Sequence, residues 1–358
     1  MQVQEYLVTI GMRRAELSGL KELPGSSKDR LTPLLLLAPW LATVPLSRAL
    51  EKFEESYSSR PYFVDVDSYY RVNENWNDAK AEWTALYETP ADVDLWWSIL
   101  EDFPNANPCL LVSEQSIDSA RQQISWAREN NRTFCIRLNY DKNGMPQWIP
   151  ELLEELAEEG ANDFAIVLEF GLVDDALTVA ASASSYVNTF ASIVSPETPI
   201  AISCTSFPSD FTQFDGLDEE RFSNRELLAL VRQGTNHPTI IYGDWGSTKP
   251  RSHGIASPPK RRIDYPTDNA WVISRDNGDP IEFDVAAQRI VESDYWTGDL
   301  GIWGEQLIEG TAEGQDFAID TMPKMYSVRI NIHLHRQAFF GDLPPPNALD
   351  EEWDDDDF

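Results

Sequence analysis

Residues 148–171 read WIPELLEELAEEGANDFAIVLEFG. From Trp148 to Glu159 the apolar residues recur at helical spacing beneath an acidic outer face, and Gly160 stands where a glycine commonly ends a helix. A short apolar and β-branched run, Asp163 to Gly171, follows at once and predicts a strand. Seven further runs of this kind occur before residue 248: YLVTIGM (Tyr6 to Met12), LTPLLLLAP (Leu31 to Pro39), PYFVDVDS (Pro61 to Ser68), PCLLVSE (Pro108 to Glu114), TFCIRLNY (Thr133 to Tyr140), PIAISCTSF (Pro199 to Phe207) and TIIYGDWGS (Thr239 to Ser247). Segments with helical marks separate them, among them Ser116 to Asn130 and Asn224 to Arg232, each introduced by capping residues. Eight β-then-α units in succession predict an α/β fold, a closed (β/α)8 TIM-like barrel whose chemistry belongs at the C-terminal ends of its strands.

A barrel of about 250 residues leaves about a hundred for something else. After the eighth run the composition changes. Lys249 to Lys260 (KPRSHGIASPPK) is rich in Pro, Ser and Gly, and with Arg261 and Arg262 it forms a basic cluster near the barrel mouth. Trp271 to Arg275 predicts an added strand, and Asp284 to Asp294 and Ser327 to Phe340 predict helices. The expected division is a barrel over 1–250, a basic loop plus C-terminal α+β extension packed on it over 251–341, and a flexible, disordered acidic tail over 342–358. The insert from Tyr69 to Asn107, with Trp76, Trp83, Trp96 and Trp97, is expected to cover one side of the barrel.

The net charge of −32 and pI near 4.3 argue against bulk binding to a nucleic-acid backbone and favour a protein partner with a basic surface. No run approaches 18 uninterrupted apolar residues, so no membrane span is expected. No basic segment precedes an apolar stretch at the start, and the three cysteines, Cys109, Cys135 and Cys204, all fall in predicted buried strands. Both features predict a cytoplasmic protein with packed, reduced thiols. Nucleophile-elbow, phosphate-loop and dinucleotide motifs are absent. His333 and His335, two apart in a predicted helix, point in different directions and make a poor zinc pair.

Strand alternation sorts the charges. In PYFVDVDS, Asp65 and Asp67 oppose Val64 and Val66; in TFCIRLNY, Arg137 and Asn139 oppose Ile136 and Leu138. The apolar set is expected to face the helices, so the polar set faces the interior, together with Glu169, Ser203, Thr205, Tyr242 and Asp244. Asp65, Asp67, Arg137, Glu169 and Asp244 form the candidate catalytic set, with Arg13, Glu16, Trp245, Arg251 and Arg261 as neighbouring binding residues. Two readings of the set stand. Asp67, Glu169 and Asp244 can hold a divalent metal (Mg or Mn) for phosphodiester or other hydrolysis; alternatively the charges form a buried structural network, Arg137 pairing with Asp65 and Glu169. The basic loop around Lys260 to Arg262 can likewise clamp a phosphate or simply pack on an acidic body.

The opening YLVTIGMRRAELSGLKEL with LTPLLLLAPW, the Gly243-Asp-Trp-Gly246 strand and RRIDYPTDNAWVISRDNG (Arg261 to Gly278) resemble the phage beta-protein family. The most specific piece is Arg-x-x-Tyr…Trp-x-x-x-Arg. The resemblance spans about residues 5 to 340. It implies a barrel fold and a setting in phages or in mobile, antiviral-defence regions of bacteria, and it brings no reaction. The tail, EEWDDDDF, is similar to the acidic, Phe-terminated tip of bacterial single-stranded-DNA-binding proteins, without the usual Ile-Pro before the Phe. That similarity implies Trp353 and Phe358 as anchors for a macromolecular partner, with the aspartates steering; the alternative is a solvated charge run that only keeps the protein soluble. The first expectation is therefore a phage- or defence-associated interaction protein, the second a metal-assisted hydrolase of a nucleotide or other phosphate-containing substrate at the barrel mouth.

Overall fold

A computed structural model describes every residue except 41–44, 73–76, 89–90, 113–115, 141–144, 252–258, 279, 317 and 343–358. Among the described residues the strands are β1 (Tyr6–Gly11), β2 (Leu31–Leu37), β3 (Tyr62–Val66), β4 (Ala106–Pro108), β5 (Phe134–Asn139), β6 (Phe164–Leu172), β7 (Ile200–Thr205), β8 (Gly216–Arg221), β9 (Ile240–Asp244), β10 (Ile263–Pro266) and β11 (Ala270–Arg275). Eight of them form one parallel sheet in the order β4-β3-β2-β1-β9-β7-β6-β5. The two ends meet: Cys109 bridges to Cys135, and the Leu110 amide donates to the Cys135 carbonyl at 2.8 Å. Each predicted run thus supplies or overlaps a stave of a nearly closed TIM-like barrel; the fourth stave lies earlier than expected, at Ala106–Pro108 with a bridge at Cys109, and the end of its predicted run, 113–114, lies outside the described residues.

Paired residues of a parallel sheet point to the same side, so register assigns the faces. Leu7, Leu34, Leu36, Phe63, Cys109, Cys135, Ala165, Val167, Ala201 and Ile241 pack together inside the barrel. Their alternates, among them Val8, Leu35, Val64, Ile136, Leu168 and Ile202, pack outward against the helices. Burial on both faces is why these strands read as near-continuous apolar runs. The predicted helices appear as Ile117–Glu129, Ile149–Glu158, Ser223–Gly234, Phe283–Val291 and Met322–Ala338, and the tryptophan-bearing insert adds Asp78–Tyr87 and Val93–Leu100. Ser116 caps its helix by accepting from the Ser119 amide. The three cysteines are free and buried. No helix among the described residues is long and apolar enough to cross a membrane.

The extension holds a second, antiparallel sheet in the order β10-β11-β8. Its edge strand β8 belongs to the connection between β7 and β9, so the barrel lends the extension a strand. β8 reads GLDEER and is half exposed; a charged edge strand shields the sheet from further pairing and hides its own period-2 signal.

The helix Met322–Ala338 joins the two parts and is buried on nearly every face. Its buried polar side chains find partners: Arg329 pairs with Asp264, Asn331 donates to the Gly19 carbonyl, His333 meets Asp244, His335 meets Ser27, and Gln337 accepts from Arg225. The helix Arg14–Lys21 crosses it closely at Gly19, where a Cβ would come within 2.7 Å of the Ser327 carbonyl oxygen. The acidic tail from residue 343 on, with Trp353 and Phe358, lies outside the described residues.

Candidate functional site

Alternation on β3, β5, β6 and β7 brings one polar layer into the barrel. Arg137 donates through Nη1 to Asp65 Oδ2 at 2.9 Å, and its Nη2 lies 4.0 Å from Glu169 Oε2. Nε and Nη2 of this buried arginine have no hydrogen-bond partner among the described residues. Glu169 accepts from Trp245 Nε1 (2.9 Å), the Gly171 amide (3.0 Å) and Ser203 Oγ (2.9 Å). Burial pushes the Glu169 and Asp65 carboxyls up from their ordinary values, and Arg137 opposes that rise in both. Burial alone would weaken the Arg137 charge, but Asp65 and Glu169 together hold its pKa above the ordinary arginine value.

Asp67 follows β3 and turns to the mouth, where Arg251 Nε donates to it at 2.8 Å and Arg251 Nη2 donates to the Met12 carbonyl. Beyond β1, Glu16 accepts from the Gly11 amide at 2.5 Å and pairs with Arg13 at 2.9 Å. Burial raises Glu16, and Arg13 and Arg251 pull it back. Arg137, Asp65, Asp67, Arg251, Glu16 and Arg13 thus form one line of neighbouring charges from the interior to the rim. Arg261 is elsewhere: it is exposed and paired with Glu282.

Asp244 requires a correction. The predicted alternation puts Tyr242 and Asp244 inside, but Ile241 and Gly243 take the inner face, in register with Ala201 and Ser203. Gly243 is needed there, since a Cβ would come within 3.0 Å of the Ser203 side chain. Tyr242 and Asp244 face outward. Asp244 accepts from Tyr6 (2.7 Å), Tyr242 (2.9 Å) and the Gly246 amide (2.8 Å), and meets His333 Nε2 at 2.6 Å. Burial would raise its pKa, but His333 and these donors hold it below the ordinary aspartate value. The polar outward position exists because a buried helix brings it a histidine.

The four carboxylates therefore do not converge: Asp65 belongs to Arg137, Asp67 to Arg251, Glu169 to Trp245 and Ser203, and Asp244 to His333. Among the described residues no group of three or more His, Cys, Asp or Glu side chains is placed to hold a metal ion.

A cavity of about 700 Å³ opens at the C-terminal ends of β1, β7 and β9, under the extension. Six cations line it: Arg13, Lys249, Lys260, Arg262, Arg275 and Arg329. Glu16 and Asp210 are its lining carboxylates, and Asp264 stands behind, bridging Arg262 (2.8 Å) and Arg329 (2.7 Å). Six cations against two lining carboxylates make this lining predominantly cationic in a chain of net charge −32. Arg275 is only 4 % exposed and makes no ion pair among the described residues. Burial lowers its pKa and nearby Arg262 lowers it further, while Asp210, Asp215 and Asp264 oppose the fall. Burial also lowers Arg329, with Asp264 opposing and Arg262 adding to the fall, while burial, Arg13 and Arg262 depress Lys249. Phe207, Phe211 and Tyr326 supply an aromatic wall, with the Arg262 guanidinium 3.7 Å from the Phe211 ring centre and that of Arg329 4.1 Å from Phe207.

Sequence reasoning singles out Arg13, Glu16, Lys260 and Arg262 of this pocket, but not Lys249, Arg275 or Arg329 as binding residues. The signal that could have found more of it is the Arg-x-x-Tyr…Trp-x-x-x-Arg stretch, whose first and last residues are Arg262 and Arg275.

Fold and site together define a TIM-like barrel with a charge-paired interior and a cation-lined mouth pocket to which an appended α/β unit contributes. The chain belongs to the Beta protein family, whose model matches residues 6–339. It is 24 % identical over 345 residues to Protein beta of Enterobacteria phage P4, covering 93 % of this chain and 92 % of that one.

Proposed function

We propose that this protein is a cytoplasmic interaction protein of phage–host conflict that binds an anionic, phosphate-bearing group in the mouth pocket. Kinship with a phage protein supports the setting. The net charge of −32 supports a basic-surfaced protein partner but leaves the contact face unspecified. The pocket carries the reading through one observation: Arg275, buried and without an ion-pair partner among the described residues, is held beside Arg262 in a site lined by six cations and two carboxylates. Cations that depress one another's pKa are relieved by an incoming anion, and a planar guanidinium suits phosphate oxygens. Barrels also tend to hold phosphate in the loops after their last two strands, which here are the loops after β7 and β9. Titration calorimetry with pyrophosphate tests it. Saturable binding that falls about tenfold in Arg275→Gln, a loss of about 1.4 kcal/mol, supports the proposal. Heat signals that are absent, or equal in the two proteins, overturn it.

The hydrolase reading receives less support, because the carboxylates it needs are each committed to a different partner.

A further inference from the structure

The pocket offers more than charge, and the additional features narrow the ligand. Its volume of about 700 Å³ falls within the ~300–1,000 Å³ of small-molecule sites. An inorganic phosphate, comparable to a few water molecules of about 30 Å³ each, would fill a small part of it and leave the aromatic wall bare. Phe211 and Tyr326 are half-buried members of that wall, and the Arg262 guanidinium sits 3.7 Å from the Phe211 ring centre. Aromatic rings and guanidinium planes are surfaces on which a nucleobase stacks. The surplus of cations over carboxylates in the lining suits the negative charges of a di- or triphosphate.

We infer that the mouth pocket is a nucleotide site, taking a nucleoside di- or triphosphate with its phosphates toward Arg275, Lys249 and Arg13 and its base against Phe211 and Tyr326. The inference rests on the anion-binding reading above. A free nucleotide is favoured over a strand of nucleic acid because the cations are gathered at the cavity, whereas a polymer leaving it would run along a molecule of net charge −32.

The test is a calorimetric panel on the full chain: ATP, GTP, ADP, tripolyphosphate, adenosine and an unstructured single-stranded oligonucleotide. The expected result is a nucleotide bound about tenfold or more tightly than tripolyphosphate, the advantage that one stacked base supplies. Phe211→Leu should shrink that advantage about threefold or more. Equal affinity for nucleotides and tripolyphosphate overturns the nucleotide assignment and leaves the anion site standing. Binding to neither overturns both. An oligonucleotide that binds about tenfold more tightly than any mononucleotide, with affinity falling steeply in salt, replaces the free nucleotide by a strand. The wild-type panel decides these outcomes even if a pocket variant fails to fold.

Discussion

The barrel interior and the mouth pocket are both built from charged side chains on strand ends and loops, but they balance their charge differently. Inside, Arg137 stands between Asp65 and Glu169, and Glu169 is further satisfied by Trp245, Gly171 and Ser203. In the pocket, Arg262 and Arg329 share one aspartate while Arg275 has no ion-pair partner among the described residues. Buried charge that is paired contributes to one defined arrangement; buried charge left over lowers stability and awaits a ligand. The difference separates a structural cluster from a binding one more sharply than burial or residue type does, since both clusters contain an arginine that is 4 % exposed.

The largest test of that contrast is Arg137→Ala. Removing the guanidinium strands two buried carboxylates, and the expected loss is about 3–5 kcal/mol in denaturant unfolding. A loss under about 1 kcal/mol would mean that the interior pair does not hold the barrel together. In whatever fraction remains folded, pyrophosphate affinity should be unchanged, because Arg137 does not line the pocket.

His335 sharpens the comparison from a third region, where a titratable group is buried neutral. Burial, followed by the Arg336 charge, lowers its pKa from 6.5 to about 4, and its Nδ1 meets Ser27 Oγ at 2.9 Å. The unfolded chain therefore binds a proton that the folded chain refuses. Stability from this group is fully present above pH 6.5 and is lost as the pH falls through 4. Its full size is about 3 kcal/mol, since each pH unit between the two values corresponds to about 1.36 kcal/mol. The raised carboxyls of Glu16, Asp65 and Glu169 act in the opposite sense, since the folded chain holds their protons more tightly. The difference between wild type and His335→Gln isolates the histidine: their stability profiles should diverge between pH 6.5 and 4 and run parallel above it. Parallel profiles throughout would show that His335 titrates normally.

The barrel was legible because doubly buried strands write themselves as apolar runs, and the interior layer was legible because period 2 places Asp65, Arg137, Glu169 and Ser203 on one face. Asp244 was misplaced for a physical reason. In TIIYGDWGS the inner position is Gly243, which carries no side-chain signal, and the polarity of the outer position answers to His333, distant in sequence. β8 was invisible because its pairing partner, β11, lies beyond the barrel and its own residues are charged. The pocket could not be read as a unit, since its cations are spread from residue 13 to residue 329 and only the fold gathers them.

The smallest effect on stability, and the most discriminating, is expected from Arg275→Gln. Were this arginine a structural partner like Arg137, its removal would cost several kcal/mol; as a buried cation for which desolvation and Arg262 outweigh Asp210, Asp215 and Asp264, its removal relieves more than it costs. Unfolding free energy should therefore stay within about 0.5 kcal/mol of wild type or rise. Anion affinity falls in the same variant, so binding and stability move independently. That independence is the signature of a residue held in place for a ligand, and a loss of about 3 kcal/mol or more would assign Arg275 to the scaffold instead.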